Sequence, residues 1–325
     1  MPFSADETSR VIAGRDQPAA RLKADEATAE ILRGLGFNCV RWQVGDRDLL
    51  YSPPPDELAE RPTRGGIPVL FPFPNRIRDG RFTWDGHEYE LAKNDPAKKN
   101  AIHGFTPREP WGLVHIRADA ESAWIEAAFP PRATWTQQWP GIGVISLKIQ
   151  LKPLSLRYSA RVVNYDRRHE PFPFGLGYHP YFAVTPDCRV QTPARARWEL
   201  ADSLPTGRKL SLEGHYDLTR PRPVSELTLD DVYTDFPATP PDADGLIERG
   251  RVEYPGAGTL RVRASPAFRD LVLFTPPHRQ AICLEPYTCP TDAVHLQKNE
   301  DVGWQVLPPG GRWEGVVELT WETGL

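Results

Sequence analysis

The stretch 144-VISLKIQLKPLSLRYSARVV-163 decides the fold. Ile145, Leu147, Ile149 and Leu151 alternate with Ser146, Lys148, Gln150 and Lys152. Beyond a turn at Pro153, Leu156, Tyr158, Ala160 and Val162 alternate with Arg157, Ser159 and Arg161. Successive side chains of a β-strand point to opposite faces, so a period of two marks strands with one buried face and one wet face. Two such segments joined by a short turn are antiparallel neighbours. Working outward, 81-RFTWDGHEYEL-91 carries Asp85-Gly86 between alternating segments, the strongest short-range hairpin signal in the chain. Further strand-like runs begin at Phe37 (FNCVRWQV) and cover 260–264, 271–274, 281–285 and 313–321.

The chain has 35 prolines in 325 residues, about twice the usual share of roughly 5%. They recur in short clusters and argue against long helices. Many short strands without strand–helix alternation predict an all-β protein, a large antiparallel β-sandwich or barrel. No linker divides the chain, so residues 1–325 are expected to form one domain. Within it, residues 1–34 read as a polar N-terminal extension, with a short helix over 25–33 ended by Gly34 or Gly36.

A net charge of −4 gives no electrostatic reason to bind nucleic acid or an anionic membrane, both of which need a concentrated basic face. No run of about 18 apolar residues spans a bilayer, and the N-terminus lacks the apolar core of a signal peptide. A cytoplasmic protein, monomer or homodimer, acting on a small neutral molecule is the expectation. Cys39, Cys188, Cys283 and Cys289 are too scattered for a disulfide framework and read as reduced thiols. No phosphate loop, dinucleotide fingerprint, serine elbow or HExxH pair is present, and the eight histidines lack close metal-ligand spacing. No cofactor and no metal are expected.

What remains is a set of polar loop segments flanked by glycine, proline and aromatics. They are 65-GGIPVLFPFPNRIRDGRF-82, 101-AIHGFTPREPW-111, 174-FGLGYHPYF-182 and 282-ICLEPYTCPTDAVH-295. In the third, Pro180 fixes its own φ and restricts the residue before it, so His179 is expected to be rigidly held. These segments, in this order, resemble the aldose 1-epimerase (galactose mutarotase-like) family. Asn164, 204-LPTG-207 and 229-LDDVY-233 also look like family positions, so the resemblance covers roughly residues 35–320.

The resemblance implies a β-supersandwich and a cofactor-independent enzyme that interconverts the α and β anomers of a free sugar. Carried over by motif, His179 would be the general acid at the ring oxygen and Glu285 the general base at the anomeric hydroxyl. His103 would bind near the ring oxygen, and Asn75, Arg76 and Asp230 would hold sugar hydroxyls. Elementary acid–base chemistry agrees: ring opening needs one proton delivered and one removed, and a His and a Glu can form that pair. Glutamate is ionised near neutrality, and neighbouring carboxylates can keep a histidine such as His179 charged.

Each residue also has a plainer reading. A histidine among aromatics is often a packed one, Glu285 could face solvent at a strand end, His103 could be a loop histidine, and Arg76 has Arg78, Arg81 and Arg108 nearby. In an extended segment Asp230 and Asp231 point to opposite faces, and the motif register selects Asp230. Trp42, Trp111 and Phe182 could stack on a sugar, although core packing accounts for such rings more often. Three other functions compete: a hexose-6-phosphate 1-epimerase, a carbohydrate-binding protein of the same fold without turnover, and a glycosidase pairing Glu285 with a second acid. Thr106-Pro107 before Arg108 departs from the family pattern, so Arg108 receives no phosphate role.

Overall fold

The alternating pair forms the strands Gly143–Lys152 and Ser155–Asn164, antiparallel, with Ile149 opposite Tyr158. Ile145, Leu147, Ile149, Leu151, Leu156 and Tyr158 are all buried. This pair lies in a nine-stranded sheet, running Gly112–Ala118, Ala123–Phe129, Gly143–Lys152, Ser155–Asn164, Arg312–Thr323, Gly258–Ala264, Ile247–Tyr254, Arg189–Gln191 and Arg222–Pro223. Its outer face carries cross-strand charges: Arg157 with Glu318 at 3.1 Å, Arg263 with the same Glu318, and Arg261 with Glu248 at 2.6 Å and Glu322 at 2.7 Å. Opposite charges on facing strands match the register and keep that face wet. The computed structural model describes residues 2–166, 170–298 and 300–324.

Two sheets cover the inner face of the nine-stranded one. One half packs against a five-stranded sheet, Phe3–Ile12, Arg15–Ala24, Ala27–Leu32, Asn38–Val44 and Arg47–Asp48, whose second strand lies on Ala123–Phe129 and Gly143–Lys152. The other half packs against an eight-stranded sheet in which the strands Asp270–Phe274 and Ala281–Tyr287 are central; the second of these faces Ile247–Tyr254 and Gly258–Ala264. The all-β supersandwich is therefore built as expected, and the hairpin at Asp85-Gly86 forms with both residues at positive φ, 48° and 77°. No helix among the described residues is long and apolar enough to cross a membrane.

The N-terminal expectation is overturned. Residues 3–32 are not an appended polar segment, and 25–33 is not a helix: Ala27–Leu32 is a strand paired with both its neighbours. Ala20, Leu22, Ala24, Ala27, Ala29 and Ile31 are buried, while Arg21 and Lys23 are exposed. Alanine is the best helix former yet small enough for a strand's inner face, so its propensity concealed a period of two.

Isolated bridges join the two covering sheets, Cys39 with Ile67 and Leu50 with Phe182. Trp42, Trp111 and Phe182 are fully buried in the core, which removes them as sugar platforms. In the eight-stranded sheet, register sorts the side chains. Val272 stands opposite Glu285, Phe274 opposite Cys283, Asp230 opposite Phe274 and Asp270 opposite Tyr287. These residues share one face, while Leu271, Leu273, Ile282 and Leu284 enter the core on the other.

Candidate active site

His179 sits between the short strands Gly177–Tyr178 and Tyr181–Ala183. Its backbone is fixed on both sides: His179 N–H donates to Pro68 C=O at 3.0 Å and Tyr181 N–H to Gly66 C=O at 2.9 Å. Gly177 is required by packing, since a Cβ there would meet the Tyr287 ring at 2.5 Å. Because Tyr181 pairs with Cys283 across the ladder, His179 arrives beside the Ala281–Tyr287 strand. Its Nε2 lies 3.4 Å from Glu285 Oε1, with both side chains buried. The second carboxylate oxygen, Oε2, accepts the Tyr287 hydroxyl at 2.5 Å.

The NR and HGF segments meet through a two-residue ladder in which Arg76 faces Ile102. His103 N–H donates to Asn75 C=O at 2.9 Å. Asn75, His103 and Gly104 hold positive φ values of 52°, 67° and 68°, a conformation that a non-glycine residue adopts at a cost and that concentrates at functional sites. Arg76 donates to Asn75 Oδ1 at 3.2 Å and pairs with Asp95 at 3.7 Å. The loop is tied to the Glu285 segment through Asp292, which accepts Arg78 N–H at 3.0 Å and Arg78 Nε at 3.3 Å.

These segments enclose a cavity of about 670 Å³, walled by His179, Glu285, His103, Asn75, Arg76, Asp95, Asp230, Tyr181, Phe274 and Tyr287, with Arg61, Arg64, Lys98 and Arg108 also lining it. All six residues selected from the sequence therefore line one space, of a size suited to a small ligand. Register also separates the two aspartates: Asp230 lines the cavity, while Asp231 pairs with Arg197 at 3.3 Å. A smaller cavity of about 150 Å³ is walled largely by aromatic rings, including Phe105, Phe129, Trp135 and Trp139, and offers no acid–base pair.

Burial governs the electrostatics. It pushes the His179 imidazole down to about 3, helped by the charge of Arg64. His103 is also lowered well below 6.5, by burial first and then by His179, Arg76 and Arg64. Burial raises Glu285 well above 4.5, against the Tyr287 hydrogen bond. Neighbouring carboxylates therefore do not keep His179 charged: desolvation and a nearby guanidinium both favour the neutral ring. Asp230 reaches solvent through the pocket mouth, yet surrounding protein raises its pKa, with Arg76 opposing. Asp95 behaves otherwise. Burial alone would raise it, but hydrogen bonds from the Asn100 and Lys99 backbone, the Asn100 side chain and the charge of Arg76 hold it below the usual carboxylate range.

Sequence reading missed Arg64, Asp95, Tyr181 and Tyr287. Arg64 adjoins the Gly65-Gly66 pair, while Tyr181 and Tyr287 lie inside the segments 174–182 and 282–295 that carry His179 and Glu285, where they read as flanking aromatics. Cys283 places its sulfur near the catalytic candidates: one donor atom each from His179, Cys283 and Glu285 lies within 4.8 Å of the others. Metal binding there would need the thiolate, and burial raises this thiol well above 9, with the charge of Glu285 adding to the effect.

The model of the aldose 1-epimerase family matches residues 20–320. The chain is 25% identical to the uncharacterized protein YphB of Escherichia coli K12 over 254 residues, 74% of this chain and 78% of that protein. Its fold is that of a galactose mutarotase-like protein from Clostridium acetobutylicum, with a TM-score of 0.85, 24% identity and 99% of each chain covered. A galactose 1-epimerase from Lactobacillus acidophilus superposes with a TM-score of 0.80 at 18% identity, covering 99% of this chain and 100% of that one. With a family match across nearly the whole length, the chain belongs to the aldose 1-epimerase family.

Proposed function

We propose that the protein is a mutarotase that interconverts the α and β anomers of a free hexose by general acid–base catalysis. The observation that carries this reading is the contact of His179 Nε2 with Glu285 Oε1 at 3.4 Å on the wall of a sugar-sized polar cavity. In the productive form His179 donates a proton to the ring oxygen while Glu285 removes one from the anomeric hydroxyl. The C1–O5 bond breaks, the anomeric carbon becomes a carbonyl, the C1–C2 bond rotates, and closure on the other face returns both protons. No net proton is consumed. The imidazolium–carboxylate pair that begins the reaction differs from the neutral pair favoured by burial only in the position of one proton, which moves across the 3.4 Å contact. His103, Asn75, Arg76 and Asp230 supply hydrogen-bonding groups for the sugar's oxygens.

Polarimetry on freshly dissolved α-D-glucose and α-D-galactose tests this. The enzyme is expected to accelerate the approach to the equilibrium rotation, with His179→Ala and Glu285→Gln each slower by ~10²- to 10⁴-fold. Unchanged rates across free and phosphorylated sugars would overturn the reading, and binding without acceleration would support a non-catalytic sugar-binding protein.

A second reading rests on Arg64. It is half-buried, lines the cavity beside the Tyr181 hydroxyl, and has no ion-pair partner among the described residues, while Arg61, Lys98 and Arg108 stand at the same cavity. An anionic substituent on the sugar, such as a 6-phosphate, would supply the missing counter-charge. A higher kcat/KM for hexose 6-phosphate than for the free hexose would favour it.

A further inference from the structure

A second cavity, of about 300 Å³, opens at the seam between the nine-stranded and eight-stranded sheets, walled by Trp198, Lys209, Phe236, Arg249, Arg269 and Asp270 among others. It shares no wall residue with the cavity of His179 and Glu285. Its charges are mostly settled within the wall: Lys209 donates to Asp235 at 2.8 Å, and Arg269 to Asp301 at 2.8 Å. Arg249 is the exception. The residue is only 4% exposed, its Nε is buried without a partner, and its guanidinium makes no hydrogen bond or ion pair among the described residues. It lies over the Phe236 ring, 4.6 Å from the ring centre.

The backbone accounts for its direction. Pairing of Ile247–Tyr254 with Gly258–Ala264 shifts register between Glu248 and Gly250, which makes Arg249 the extra residue of a β-bulge. Glu248 and Arg251 belong to the charged outer face, and the bulge turns Arg249 into the seam between them. Bulges re-aim single side chains in this way and are frequent beside functional sites. Burial lowers the Arg249 pKa to about 10, with the charge of Asp270 opposing, so the group is cationic at neutral pH. A buried guanidinium with its donors unspent is costly to a fold and is normally paired. On the same wall Asp270, 2% exposed, accepts the Trp198 indole N–H at 3.0 Å.

We propose that this cavity is a second ligand site, taking a small hydroxylated oxyanion, carboxylate or phosphate. The planar guanidinium fork of Arg249 matches two oxygens of such a group. Asp270, with a lone pair remaining, accepts a hydroxyl of the same ligand. The aromatic rings of Trp198 and Phe236 close the site on its apolar side.

Isothermal titration calorimetry at constant ionic strength with inorganic phosphate, gluconate and, as the neutral control, glucitol tests the proposal on the full chain. The expected result is saturable binding of gluconate or phosphate but not of glucitol, weakened about tenfold or more in Arg249→Met and less in Arg249→Lys. Arg249-dependent binding of phosphate alone identifies a phosphate site, and tighter Arg249-dependent binding of gluconate a hydroxy-carboxylate site. Mutarotation by both variants should match the wild type, which separates this site from the proposed active site. Failure of the wild type to bind either anion, or equal binding by Arg249→Met, overturns the proposal. If Arg249→Met does not fold, equal binding by Arg249→Lys and an Asp270→Asn variant has the same consequence.

Discussion

The smallest decisive unit is the hydrogen bond from the Tyr287 hydroxyl to Glu285 Oε2 at 2.5 Å. It opposes the upward push of burial on that carboxyl, so removing it raises the pKa further and makes the proposed base harder to ionise. Tyr287→Phe is therefore expected to lower kcat by about tenfold with little change in KM, measured by initial-rate polarimetry. His103 gives a stability prediction. Its folded pKa is depressed, so the unfolded chain takes up the proton first, and the stability contributed by the neutral ring is present above 6.5 and lost as pH falls below it. Asparagine tolerates the positive φ of this position and does not titrate. Urea midpoints of His103→Asn relative to wild type should rise as the pH is lowered from about 7.5 to about 5.5. A comparison against wild type is needed because Glu285, Asp230 and Asp270 have raised pKa values and shift stability the other way.

At the scale of elements, two glycines with similar φ separate turn strain from crowding. Gly86 closes the Arg81–Trp84/His87–Glu90 hairpin at φ 77°, with open space where a methyl group would stand, whereas a Cβ on Gly104 at φ 68° would lie 2.2 Å from the Phe71 carbonyl oxygen. Gly86→Ala is expected to lose about 1 kcal/mol, the conformational penalty alone. Gly104→Ala should lose about 3 kcal/mol or more and also displace His103, so activity falls with stability. Chemical denaturation of both variants, with polarimetry on the folded fraction, checks the pair. The hairpin could be recognised from its dipeptide because a two-residue turn is a local event. The close approach of Gly104 to Phe71 joins two separate sequence segments, and neither segment alone records it.

For the molecule as a whole, residues 3–32 supply three of the five strands that cover one half of the nine-stranded sheet. Ala20, Leu22, Ala29 and Ile31 belong to the main core, together with Leu147 and Ile149 of the facing strand Gly143–Lys152. Deleting residues 1–34 would uncover that inner face and leave the strand Asn38–Val44 without its partner Ala27–Leu32. The truncated chain is expected to lose cooperative unfolding and to be recovered as insoluble protein, whereas removal of a mere extension would leave the thermal transition in place. Differential scanning calorimetry on the soluble fraction decides between these outcomes.

The sequence by itself determined the central strands of the nine-stranded sheet, the Asp85-Gly86 hairpin and the identity of six residues that line one cavity. Each of these follows from information held within a few positions: a period of two, a turn dipeptide, or a short motif. Tertiary structure alone decided the rest. The pairing of Tyr181 with Cys283 brought His179 to Glu285, and the ladder of Arg76 with Ile102 brought the Asn75 and His103 segments together beside them. Burial then set the charge of that pair against the solution values of its side chains. Strand pairing and desolvation depend on residues far apart in the chain, and local pattern carries no record of them.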